Sequence, residues 1–158
     1  MFMAALVLVL STALFFFYLQ AVCQKILQRR FVENYYQAIV NANSLEFPSI
    51  RKALEEFGAP VEYARLMMTL KCDFLALTYL LKNAANANQR YTYEERLLIF
   101  YFKWVFASLV TRHWLRLRET PAALKLTTIL EYFANVVGER VNTVRFGELT
   151  ASDYLLNL

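Results

Sequence analysis

The sequence predicts an all-α fold: one N-terminal transmembrane helix continuing into a cytoplasmic helical bundle of about four further helices. Three observations carry that expectation. The stretch Phe2 to Val22, FMAALVLVLSTALFFFYLQAV, contains no charged side chain. Only 3 Gly and 3 Pro interrupt 158 residues, of which 58% are hydrophobic, leaving too few breakers for a turn-rich, strand-rich chain. Downstream, apolar residues recur three and four apart, the spacing that gives a helix one greasy face.

The first element is the apolar stretch itself. At about 1.5 Å rise per residue it is long enough to cross a hydrocarbon core of about 30 Å. In lipid every backbone N–H and C=O must be paired internally, so such a segment crosses as a helix. A secretory signal normally opens on Lys or Arg, and Met1 to Leu10 has neither. The small-x-small cleavage pattern is also poor, since the bulky Leu19 stands two places before Ala21 with Gln20 between them. A retained anchor is therefore expected over a cleaved signal or a buried soluble helix. No basic side chain precedes the span, whereas Lys25, Arg29 and Arg30 follow it at once. Positive charge is kept on the cytoplasmic side, which predicts a single pass with the N-terminus outside and the remaining chain inside.

No Gly or Pro interrupts residues 1–47, and Leu27, Phe31, Tyr35 and Ile39 fall four apart. This predicts one continuous helix from the span to about Asn41, stopped by the run Asn41 to Ser44. A short helix is expected from Pro48 to Phe57, ended by Gly58 and Pro60, and a third from Pro60 to Asn83. Asn83 to Asn88 reads as a surface connection. Thr92 and Glu95 have capping-box spacing, so a fourth helix is expected from Tyr93 to about Leu117. Its stretch Leu97 to Val110 is apolar almost all round, which predicts the central member of the bundle. A second span is disfavoured, because Lys103 sits mid-segment at a cost of about 2.5–3.5 kcal/mol. Lys103 should share an exposed stripe with Arg96 and Ala107 while Leu98, Phe102, Val105 and Leu109 face inward. A fifth helix should start at Thr120-Pro121 and end near Val137-Gly138 or a turn later. The expected divisions are 1–22, transmembrane anchor; 23–44, juxtamembrane helix; 45–142, helical bundle domain; and 143–158, C-terminal tail.

Catalytic patterns are not found. The single His excludes a His-rich metal cluster, the 3 Gly are too scattered for a phosphate loop, and Cys23 and Cys72 fit no zinc spacing. No cofactor is expected, and the protein is not expected to be an enzyme. Cys72 is expected to be a packed small thiol, and Cys23 to be open to acylation at the membrane surface if the source is eukaryotic. His113 is expected as an ordinary satisfied residue near a helix end.

Two sets of binding residues stand out. Lys25, Arg29, Arg30, Arg112, Arg116, Arg118 and Trp114 are candidates for contact with a membrane surface or an acidic partner. For the later group the simpler alternative is cations complementing a helix C-terminus. Phe146, Tyr154, Leu155, Leu156 and Leu158 make an apolar end on a polar tail, able to fold back or to dock a partner. Phe146-Gly147 reads as a helix break, with Thr150 and Asp153 placed to cap a last turn. The aromatics Phe100, Phe102, Trp104, Phe106, Tyr63 and Phe74 are expected to pack the core rather than line a quinone pocket. The net charge of +4 suits an anionic membrane face and falls short of a nucleic-acid footprint.

The expected function is a membrane-anchored helical interaction protein, a scaffold or accessory subunit of a membrane-associated assembly. A binding module for a lipid or other apolar ligand within the bundle is the alternative, and a membrane-tethered enzyme the third reading. The expected partners are the lipid bilayer and other membrane-associated proteins. Self-association into a homo-oligomer is left open, and nucleic acid is not expected.

Overall fold

The computed structural model describes residues 1–56, 61–83 and 90–156, with side chains described as far as residue 143. The described residues form six helices and no strands: α1 (Phe2–Leu27), α2 (Tyr36–Asn43), α3 (Phe47–Glu56), α4 (Tyr63–Asn83), α5 (Tyr93–Trp114) and α6 (Thr120–Leu156). The expected connection from Asn83 to Asn88 lies, past Asn83, outside the described residues, as do Gly58 and Pro60.

The bundle is built around α6, not around α5 as the apolar run of α5 suggested. Every other helix packs on α6, and its residues Tyr132 to Gly138 are buried without interruption. Alternate small and large side chains make this possible: Ala123, Leu126, Ile129, Leu130, Phe133 and Ala134 are fully enclosed, so neighbours approach from several directions. The all-round apolar surface of α5 has a different cause. One face, with Leu98, Phe102, Val105 and Leu109, is buried in the bundle, and another side meets the end of α1, where Trp104 stacks on Phe16 at 4.7 Å. Arg96, Lys103 and Ala107 form the exposed stripe between, as their spacing predicts.

The first helix does not run on to Asn41. It ends at Leu27, and the chain breaks between Gln28 and Tyr35 before α2 begins. The break has a packing cause. Phe31 turns its ring edge-on to Tyr132, centroids 5.4 Å apart, and Tyr35 lies over Gly138. A Cβ on Gly138 would fall 2.1 Å from the Tyr35 Cβ, so only glycine admits this approach. The Tyr35 hydroxyl accepts from Asn142 Nδ2 at 2.7 Å, and the Tyr36 N–H donates to Asn135 Oδ1 at 2.9 Å. A straight helix would carry Phe31 and Tyr35 along its own axis, away from these α6 partners. The expected stop is present: α2 ends at Asn43, and Ser44 takes a left-handed φ of 51°.

Gly138 therefore does not end α6, which runs through it as one 37-residue helix to Leu156. The predicted break at Phe146-Gly147 is likewise absent, since the backbone there is helical. At the start of α5 the capping box forms as expected. Thr92 Oγ1 accepts from the Glu95 N–H at 3.3 Å, and the Thr92 N–H donates to Glu95 Oε2 at 3.0 Å.

Candidate membrane-facing surface

By length and composition α1 is the one helix among the described residues able to cross a membrane. From Phe2 to Tyr18 its side chains lie almost wholly outside the bundle, a free length of about 25 Å. The last turns are different. Leu19 and Cys23 are buried, Phe16 stacks on Trp104, and the Cys23 thiol lies near the Tyr101 phenol, whose titration is pushed up mainly by burial. The last turns of α1 thus belong to the bundle.

Pairings across this junction give its direction. Phe16 meets Trp104, Cys23 lies by Tyr101, and Arg29 feels the carboxylate of Glu94. As numbers rise along α1 they fall along α5, so the two helices run antiparallel. Beyond Trp104, α5 continues for about three turns towards the free end of α1. Its C-terminal corner lies on the side of the bundle towards the start of α1. The starts of α4 and α6 are tied to the same place. Tyr63 stacks on His113 at 3.5 Å, and His113 Nδ1 lies 2.6 Å from Glu119 Oε1.

That corner, Arg112 to Arg118, closes α5 by its own backbone. The Leu117 N–H donates to the Arg112 carbonyl at 2.8 Å and the Arg116 N–H to that of His113 at 3.1 Å. This is a Schellman closure, which puts Arg116 at φ 53°, in the left-handed region that favours glycine. Trp114 is 84% exposed, Leu115 64% and Leu117 55%. Arg116 and Arg118 are exposed and Arg112 half-buried, its Nη1 donating to the Arg118 carbonyl at 3.2 Å. None of the three pairs with a carboxylate among the described residues.

The other basic set lies elsewhere. Lys25, Arg29 and Arg30 follow the buried Leu19 and Cys23 of α1; Arg29 lies near Glu94 at the start of α5, and Arg30 lines a cleft against α6. Arg29 is already engaged. Burial works against its charge, yet Tyr132, Glu139 and Glu94 hold its pKa above the ordinary value, and its guanidinium lies over the Phe31 ring. The structure therefore separates cations that the sequence offered as one group. Residues Phe146, Tyr154, Leu155 and Leu156 lie on the helical end of α6; their side chains, and Leu158 altogether, are outside the described residues. Both cysteines are free, with their expected environments exchanged: Cys23 is buried and Cys72 exposed.

Two concavities adjoin these helices. A polar cleft of about 390 Å³ lies between the α1–α2 break and α6, lined by Arg30, Glu33, Glu131 and Asn135 among others. An apolar groove of about 230 Å³ lies between α4 and α5, lined by Phe74, Leu75, Phe102 and Phe106 and edged by Lys71 and Lys103. The stacked rings of Phe74 and Phe102, 4.0 Å apart, form its floor. No cluster of His, Cys, Asp or Glu suited to a metal occurs among the described residues.

Sequence reasoning missed three polar residues that fix this framework, two buried and one half-buried. Asp73 Oδ2 on α4 accepts from the N–H groups of Glu46 and Phe47, at 3.0 and 2.7 Å, and so caps α3 from a distance. Burial pushes the Asp73 carboxyl above the usual carboxylate range, although these two N–H groups pull the other way. Asn135 does the same service for α2. Arg140 pairs with buried Glu95 and donates to the Leu81 carbonyl at 2.7 Å, tying α6 to both α4 and α5. Comparison of the chain with protein-family models, with curated proteins and with solved structures finds no match.

Proposed function

We propose that this protein is a membrane-anchored helical interaction protein, a scaffold or accessory subunit of a membrane-associated assembly, with α1 crossing the bilayer and the bundle on the cytoplasmic side. The observation that carries the reading is the contrast between α1 and the rest. Its first 17 or so residues leave their apolar side chains uncovered, while the bundle beneath has a closed core whose described buried side-chain polar atoms are all hydrogen-bonded. The orientation rests on Lys25, Arg29 and Arg30 following the span with no basic side chain before it. Partner contact has a face to use, since Met68, Leu75 and Tyr79 are exposed along one side of α4.

The test is purification of the full chain in mild detergent with its mass measured by light scattering. A fixed-ratio complex with other membrane proteins is expected. A lone chain of monomer mass counts against the subunit reading. A C-terminal reporter active only in the cytoplasm checks the orientation, and its silence in expressing cells reverses it.

A second reading, a carrier for a lipid or similar amphiphile, is favoured by the α4–α5 groove. Its aromatic floor suits an acyl chain and the flanking Lys71 and Lys103 suit an anionic head. Native mass spectrometry of the purified chain decides it. A retained anionic lipid, lost when both lysines become Gln, supports the carrier.

A further inference from the structure

Helix α4 carries two apolar stripes, and the bundle uses one of them. Leu66, Leu70, Phe74, Leu77 and Leu81 are buried, and the helix packs chiefly on α6. Met68, Cys72, Leu75 and Tyr79 form the other stripe, and all four are exposed. Their spacing of four, three and four is the seam period of helices that pack along their length, and it runs for about 17 Å. The charges beside this stripe are one-sided. Lys71 lines the apolar groove towards α5, with the exposed Lys103 across it. Lys82, about three turns further along α4, falls on the same flank as Lys71. None of these lysines pairs with a carboxylate among the described residues. The opposite flank is mixed, with Glu46, Arg65 and Thr69 lining a concavity there.

We propose that the outer face of α4 seats one helix of a partner protein. That helix is amphipathic, apolar at the same three-and-four spacing, with carboxylates along the flank that meets Lys71, Lys82 and Lys103. The proposal rests on the reading of this protein as a subunit of an assembly and names the chemistry of its partner. Scattered apolar side chains on a surface need no explanation, but a row of four at the seam period marks a place where another helix lies. Methionine and tyrosine suit such a seam, the first by adapting its shape and the second by joining an apolar ring to a polar tip. The groove beside the stripe, floored by Phe74 and Phe102, offers an apolar bed for a larger side chain of the partner. A second copy of this chain fits poorly. The only acidic residue of α4 is Asp73, which is buried, so a copy of the same face brings no carboxylate to the lysines. A bilayer surface would be met by cations on both sides of the stripe, and here one side carries the exposed Glu46.

The experiment uses the full chain and its own thiols. Cys72 lies within the exposed stripe and Cys23 is buried, so a maleimide reports the cover over α4. In native membranes Cys72 is expected to react about tenfold more slowly than in the chain purified alone in mild detergent. Lys71→Glu together with Lys82→Glu, both at exposed positions, should restore the fast reaction, because like charges then face each other. With benzoylphenylalanine replacing Tyr79, light should cross-link the chain to a protein segment bearing Asp or Glu beside an apolar stripe. Equal reactivity of Cys72 in the two settings overturns the proposal, and so does protection indifferent to the lysine changes. A cross-link to lipid, or to α4 of a second copy, overturns it in favour of that occupant. Light scattering separates this from failure of the subunit reading. A fixed-ratio complex whose Cys72 stays reactive keeps the subunit reading and overturns this surface, and a lone chain of monomer mass overturns both.

Discussion

Gly138 shows how one side chain, or its absence, sets the path of a neighbour. In the middle of a helix glycine costs about 1 kcal/mol against alanine, so on propensity alone Gly138→Ala should stabilise. The contact with Tyr35 reverses the sign, because a Cβ at 2.1 Å from Tyr35 forces α2 off α6. We expect Gly138→Ala to cost about 1–3 kcal/mol, as other overpacked sites do, measured by denaturant titration of helicity in detergent. Arg116 presents the opposite case. Its left-handed backbone is strained for any residue with a Cβ, and Arg116→Gly should gain about 1 kcal/mol. A raised midpoint in thermal unfolding checks it. Neither role was legible locally. Glycine reads the same in sequence whether it ends a helix or admits a ring from another one, and nothing near Arg116 marks the left-handed turn.

At the scale of elements, legibility followed the distance between partners. The capping box of α5 was readable because Thr92 and Glu95 lie in one turn. The caps of α2 and α3 were not, because Asn135 and Asp73 come from other helices. Asp73→Ala should cost about 1–2 kcal/mol, as lost caps do. Asp73→Asn separates capping from charge. Burial holds the folded carboxyl above the ordinary carboxylate range, so the folded state keeps this proton at a pH where the unfolded chain has released it. The contribution of the group to stability is therefore fully present below that value and is lost as pH rises through the folded pKa. The stability of the wild type relative to Asp73→Asn should fall between about pH 4 and neutrality. Urea titrations of both proteins across that range measure it, and a gap that widens in favour of the wild type contradicts the assignment. The continuous helix expected through residue 35 failed for the same reason as the caps: the four-residue stripe is real, but Phe31 and Tyr35 spend it on α6.

For the whole molecule, the all-helical class, the single candidate span and the exposed stripe on α5 were legible, since each is a pattern of composition or period. The identity of the central helix was not. An apolar surface on every side marks α5, but α1 covers part of it, and α6 makes its central place with small residues that a hydropathy pattern underrates. Lys103 tests this arrangement. It is exposed at the edge of the groove, so Lys103→Leu should change stability by less than about 0.5 kcal/mol. The new apolar surface should instead promote association, seen as earlier elution on size exclusion in detergent.

The central place of α6 also sets an order of events during synthesis. It is the last of the six helices to leave the ribosome, yet it supplies the Asn135 cap, the bed for Tyr35 and the Arg140 tie. While α2 to α5 are emerging, the faces that they turn to α6 are uncovered. A released chain truncated before Thr120 should be cut readily by protease within α4 and α5, and the full chain should resist.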